Sequence, residues 1–179
     1  MLSYTSACYI DEIIRMQKIV SFAFFTVSLC FFSCFKKDTG CSYSNQTVSA
    51  PISEQQVVKK YLDSVGVSAT FDPSGFYYSV VVAGSGTPPS VCSKIMVSYS
   101  GQLIDGSVFD QETDALFTLG GLIPGWKQGL PHISKGGEIK LYIPPSLGYG
   151  SQPLSNNNGV VVVPANSILI FDINLVNVQ

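Results

Sequence analysis

Four large rings, Tyr99, Phe109, Phe117 and Trp126, crowd the stretch from Val97 to Trp126, and one carboxylate, Asp110, sits among them. The stretch holds no acid–base pair, no set of metal ligands and no phosphate-binding glycine loop. These residue types make an apolar cup with one polar lip. Chemistry there proceeds by shape and exclusion of water rather than by proton transfer. Trp126 is the only tryptophan and follows a Pro124-Gly125 bend. His132, the only histidine, reads as an exposed residue on a helix face. Ser146 and Ser151 have no histidine–carboxylate partners in register, which sets a serine hydrolase aside. No metal and no cofactor is implied.

Several elements must position this cup. Asp105-Gly106 supplies a turn between two short strands, because glycine tolerates positive φ and aspartate can bond its own backbone. Strand patterning runs over 76–82, 94–100, 102–104, 107–109 and 116–119. Residues 138–143 alternate, with Ile139, Leu141 and Ile143 on one face, and residues 167–178 alternate again. Residues 126–133 predict a short helix whose regular part stops near Leu130, because Pro131 follows. Residues 53–66 predict an amphipathic helix. Ser53 is its expected N-cap, Glu54 suits the dipole of the first turn, and Gly66 is the C-cap. Val57, Val58, Tyr61, Leu62 and Val65 fall at helical spacing. The helix is too short for a coiled coil, so it is expected to lie on the main domain or its tether, in a monomer. The fold class is α+β: an antiparallel sheet wrapped on one short helix, with a short N-terminal helix before it. Residues 151–158 are a polar loop with a turn at Asn156–Gly159, expected to rim the cup.

The chain has 179 residues, 46% apolar and 12% charged, with a net charge of −2. That length holds one ordinary domain plus extensions. The lack of a basic excess argues against a nucleic-acid partner. Much of the apolar content is N-terminal. Ile19 to Ser33 is a 15-residue apolar run preceded by Lys18. It is shorter than the about 20 residues of a spanning helix and is laid out as an export signal over residues 1–33. Asp11 and Glu12 are out of place in a positive leader, so translation is expected to start at Met16. Ser33-Cys34 ends the run and resembles a bacterial lipoprotein signal, in which that cysteine is lipidated. Phe31 and Phe32 depart from the usual pattern. An ordinary cleaved signal and a retained anchor are the alternatives. Residues 34–52 then form a polar tether, and the expected location is the cell envelope or periplasm, with the membrane engaged only through lipid on Cys34. Acylation of Cys34 leaves Cys41 and Cys92 as an even pair. An oxidising compartment favours a disulfide between them over two free buried thiols. Closing that loop is worth about 4 kcal/mol in the chain-entropy model.

The order of short segments resembles the FKBP-type peptidyl-prolyl isomerases. The segments are Tyr99-Ser-Gly101, Asp105-Gly106-Ser-Val-Phe109-Asp110, Ile123-Pro-Gly125-Trp126, Gly129-Leu130, Ile143-Pro144 with Leu147-Gly-Tyr149-Gly150, and Pro164 through Asp172. The resemblance spans about 73–179. It implies a half-barrel sheet around one short helix with an apolar pocket between them. It implies a pocket of Tyr99, Phe109, Asp110, Leu122, Ile123, Trp126, Tyr149 and Phe171, with Trp126 as the floor and Val163 as a further wall. Tyr99, Asp110, Ile123 and Tyr149 take the catalytic roles: the Ile123 N–H and the Tyr149 hydroxyl hold a substrate carbonyl, and Asp110 orients Tyr99 and the substrate. The implied partners are proline-containing polypeptides, and macrolides are implied candidate ligands.

Two departures stand out. Only six residues separate Asp110 from Phe117, where the family often has a longer bulge carrying another pocket Phe. The aligned position is Ala115, so one wall is expected to be lower. The loop 151–162 is longer than the family's short form. Two function classes follow: a prolyl isomerase of envelope proteins, or a low-turnover, chaperone-like peptide-binding module of the same fold.

Overall fold

The structure is a computed structural model and describes residues 40–179. The export signal over 1–33, the start at Met16 and the lipidated Cys34 lie outside the described residues.

The chain runs through helix α1 (Ile52–Val65), strands β1 (Thr70–Phe71), β2 (Tyr77–Val82), β3 (Lys94–Gln102) and β4 (Val108–Thr118), and helix α2 (Pro124–Gly129). Strands β5 (Gly137–Ile143), β6 (Leu154–Ser155), β7 (Val161–Val163) and β8 (Leu169–Val178) follow. An open antiparallel sheet forms in the order β1-β2-β5-β8-β3-β4, and β6 and β7 make a separate hairpin.

Alternation along β5 and β8 decides what each helix covers. Ile139, Leu141 and Ile143 of β5, with Leu169, Phe171, Ile173 and Leu175 of β8, share one face and are at most 2% exposed. They form the main core with Trp126 of α2 and the following Leu130. Tyr142 and Ile170, one step out of phase, face the other way and pack with Val58 and Leu62 of α1. The sheet is therefore covered on both sides. Helix α2 sits close on β5: a Cβ on Gly125 would lie 2.6 Å from the Ile143 Cδ1, so only glycine permits this approach.

The turn between β3 and β4 follows from its residues. Asp105 Oδ1 accepts from the Ser107 N–H at 2.9 Å and from the Ser107 hydroxyl at 2.6 Å. Gly106 takes φ of 84°. Elsewhere the boundaries move. Residues 94–104 resolve into one strand ending at Gln102, with Ile104 in the turn, and the segments at 107–109 and 116–119 merge into the eleven-residue β4. The intervening Gln111–Leu116 is strand because β3 supplies it with a partner. A bulge opposite Ser98 is closed by the Asp114 N–H, which donates to Ser98 Oγ at 3.1 Å, with Asp114 at φ of 54°. Helix α1 starts at Ile52 rather than after a Ser53 cap. Pro51 holds the N-cap position at φ of −58°, and its carbonyl accepts from the Glu54 and Gln55 N–H groups at 3.0 and 3.1 Å. Helix α2 starts two residues early, at Pro124, whose missing N–H costs nothing at a first helical position. The polar loop after Gly150 becomes the β6–β7 hairpin, its tip closed by Asn156 Oδ1, which accepts from the Asn158 and Val160 N–H groups at 3.0 Å each. Cys41 and Cys92 form a disulfide with Cα atoms 5.7 Å apart, fastening the tether to the segment before β3.

Candidate active site

Strand register brings the lip together. Tyr99 on β3 lies opposite Glu112, and Gly101 lies opposite Asp110. The Tyr99 hydroxyl donates to Asp110 Oδ2 at 2.8 Å. A second bulge follows, where Gln102 pairs with Val108, leaving Phe109 out of the ladder. Gly101 is required here: a Cβ would stand 2.7 Å from Phe109 Cζ and 2.7 Å from Phe171 Cε1, so the two rings cross the strand over bare backbone. Those rings meet edge to face with centroids 5.5 Å apart.

Trp126 is the floor. It is 4% exposed, and Tyr99, Phe171 and Phe117 stand nearly perpendicular to it at 5.1, 5.2 and 6.3 Å. Perpendicular packing sets positive ring edges against negative ring faces, the favourable arrangement of aromatic quadrupoles. A hollow of about 200 Å³ reaches the indole, walled by Tyr99, Asp110, Phe117, Leu122, Ile123, Tyr149 and Phe171. The indole Nε1–H is buried without a hydrogen-bond partner among the described residues.

Ile123 enters α2 in an extended conformation, with φ of −57° and ψ of 151°. Its carbonyl accepts from the Trp126 and Lys127 N–H groups at 3.0 and 3.2 Å. Its own N–H has no partner among the described residues, leaving a donor at the wall of the hollow. Burial, then the hydrogen bond to Asp110 and that residue's charge, pushes the Tyr99 hydroxyl well above the ordinary phenol range. Burial, then the Asp110 charge, pushes Tyr149 up as well. Both hydroxyls remain protonated donors at neutral pH. Among the described residues, no lysine or arginine lines the hollow.

Of the residues expected from sequence, Tyr99, Asp110, Leu122, Ile123, Trp126, Tyr149 and Phe171 converge on this hollow. Phe109 does not line it but packs against Phe171. Val163, on β7, is sealed in the core at 1% exposure and does not line it either. Phe117, singled out as a ring but not placed in the pocket by the resemblance, is a wall. Its signal was the alternation from Ala115, which pairs with Val97 and puts residue 117 on the same face. His132 stands apart, its Nε2 3.0 Å from Asp72 Oδ2 and its ring stacked on Tyr78 at 4.1 Å. A larger hollow of about 310 Å³ lies among Ser44, Thr47, Lys127, Gln128 and His132. It shares no residue with the aromatic one.

A sheet wrapped on one short helix, with an aromatic hollow where they meet and a spare backbone donor at its wall, is the architecture that the resemblance implied. The chain belongs to the FKBP-type peptidyl-prolyl cis-trans isomerase family, whose profile matches residues 86–176. It is 42% identical over 125 residues to the FKBP-type peptidyl-prolyl cis-trans isomerase FkpA of Escherichia coli strain K12, covering 68% of this chain and 43% of that protein. It is 36% identical over 110 residues to the peptidyl-prolyl cis-trans isomerase Mip of Coxiella burnetii, covering 59% of this chain and 46% of that one. The crystal structure of FkpA from Escherichia coli is similar with a TM-score of 0.61 at 38% identity, covering 72% of this chain and 60% of that chain. The chain thus spans about half the length of the curated relatives it matches.

Proposed function

We propose that this chain catalyses cis–trans isomerisation of X–Pro bonds in proteins of the cell envelope. The observation that carries the reading is the hollow itself: aromatic, floored by a buried indole, and equipped with hydrogen-bond donors but no acid–base pair. Rotation about an X–Pro bond meets a barrier of about 20 kcal/mol because the planar amide is resonance-stabilised. The twisted transition state has lost that resonance and with it much of the carbonyl's charge separation. A dry pocket therefore favours it over the more polar planar form. Proline's nitrogen carries no hydrogen, so burying its ring on Trp126 strands no donor. The Ile123 N–H and the Tyr149 hydroxyl hold carbonyls of the bound peptide, and Asp110, engaged by Tyr99, shapes the lip. No bond is made or broken.

The envelope location rests on the apolar run ahead of Cys34 and on the Cys41–Cys92 disulfide, which suits an oxidising compartment. Lipid on Cys34 is the proposed membrane contact, and mass measurement of the mature N-terminus tests it. Macrolides are proposed competitors for the same hollow. One observation favours the low-turnover binding module instead. Residues 111–114 stay exposed along the edge strand β4, and Ala115 holds the position where the resemblance expects a further pocket ring. A protease-coupled assay on a short X-Pro peptide separates the readings. Isomerisation above background, lost in Trp126→Ala and reduced in Asp110→Ala, supports the enzyme. Peptide binding with no rate above background selects the binding module.

A further inference from the structure

Helix α1 lies outside the residues matched by the family, yet it grips the frame of the site. Glu54, in its first turn, reaches a residue 92 positions away. Its Oε2 accepts from the Ser146 N–H at 2.9 Å and from the Ser146 hydroxyl at 2.7 Å. Ser146 is in the single turn Pro145–Leu147. Pro145 has no N–H, so the first donor of that turn comes from Ser146, and the carboxylate caps it with charge-assisted bonds.

The same turn delivers Tyr149. The Pro145 carbonyl accepts from the Gly148 and Gly150 N–H groups at 2.9 and 2.8 Å, bracketing the Tyr149 backbone, and Leu147 is fully buried beside it. The Tyr149 hydroxyl has no hydrogen-bond partner among the described residues, although its ring lines the hollow. No hydrogen bond at the tip of the side chain holds it, so its position is set by the backbone and by the packing of its ring on the main core. Helix α1 is itself anchored, with Val58 and Leu62 packed on Tyr142 and Ile170 and the Ala50 N–H donating to the Ser74 carbonyl at 2.8 Å.

We propose that Glu54 is a positioning residue for the site. By holding Ser146 it sets where the Tyr149 hydroxyl stands over the hollow, and it couples an N-terminal helix to turnover. The inference rests on the proposed isomerase activity and on Tyr149 as a donor in it. The test compares Glu54→Ala, Glu54→Gln and Ser146→Ala in the parent chain and in a Tyr149→Phe background. Glu54→Ala lowers kcat/KM about five-fold, chiefly through kcat, the scale of weakening a single hydrogen bond to the transition state. Glu54→Gln keeps an acceptor for the Ser146 N–H and recovers most of the rate. In the Tyr149→Phe background the same substitutions change kcat/KM less than about two-fold, because the group they position is gone. Equal losses in both backgrounds mean general loosening and overturn the proposal.

A second readout is independent of turnover. NMR signals of the Tyr149 ring, assigned by their disappearance in Tyr149→Phe, shift in Glu54→Ala while the Trp126 indole signal stays in place. Unmoved Tyr149 signals overturn the proposal. If the parent chain has no activity, the functional reading fails, and the Tyr149 shift alone decides the positioning role. Ser146→Ala removes only the hydroxyl bond and serves if Glu54→Ala does not fold; it then produces a smaller shift in the same direction, and no shift overturns the proposal.

Discussion

Substitution of Trp126 asks whether the floor works by shape and dryness. The indole is 4% exposed, with three rings edge-on at 5.1 to 6.3 Å. Trp126→Ala removes all of that packing and leaves a cavity, at a cost of about 3–5 kcal/mol. In Trp126→Phe two effects oppose. The smaller ring forfeits packing worth about 1–2 kcal/mol. Against this, it removes a buried Nε1–H that has no partner among the described residues, relieving a penalty of about 1–3 kcal/mol. The two nearly cancel, and the Phe variant is expected within about 1 kcal/mol of the parent. Urea denaturation followed by circular dichroism, which needs no tryptophan signal, checks this. In the X-Pro assay the Phe variant keeps kcat/KM within about ten-fold. The Ala variant, whose hollow admits water, falls about a hundred-fold, roughly 2.7 kcal/mol of lost transition-state preference. An Ala variant that is folded and as active as the parent would refute the idea that a dry aromatic floor lowers the barrier.

Reduction of the Cys41–Cys92 bond, or Cys92→Ser, opens a loop of 51 residues' separation and should lower unfolding stability by up to about 4 kcal/mol. Urea midpoints with and without reductant measure it, and identical midpoints would deny the bond a stabilising part. The hydroxyls of Tyr99, Tyr142 and Tyr149 are raised above the ordinary phenol value, with burial the largest cause in each. A pKa raised by folding means the native state keeps its proton longer than the unfolded chain. Their contribution is therefore complete below about pH 10 and is lost as pH climbs beyond it. Ultraviolet titration of the folded chain should show a late-ionising class of tyrosines that shrinks in Tyr99→Phe. A single class titrating at the ordinary phenol value contradicts the burial argument.

Local chemistry was legible without coordinates. Asp105-Gly106 could only turn, Gly66 at φ of 68° ends α1, and the alternation over Ile139, Leu141 and Ile143 marks a buried face. The ordered segments around Tyr99, Asp110, Trp126 and Tyr149 carried the family. Each of these signals depends on a few neighbouring residues and on steric or periodic rules that act within a turn or a strand.

What needed the tertiary structure was every pairing between distant residues. Residues 111–116 carry no clear apolar alternation, and they are strand because β3 lies beside them with matching backbone groups. The Tyr99–Asp110 bond follows from strand register, and the bulges that set that register are not written in residue type alone. Phe117 rather than Val163 faces the hollow because periodicity records which side a residue takes but not how deep that side lies. Glu54 meets Ser146 across 92 positions because two hydrophobic faces of one sheet recruit two different helices. A sequence states the side-chain chemistry and the local geometry. Which groups meet is decided when the chain buries its apolar surface as a whole.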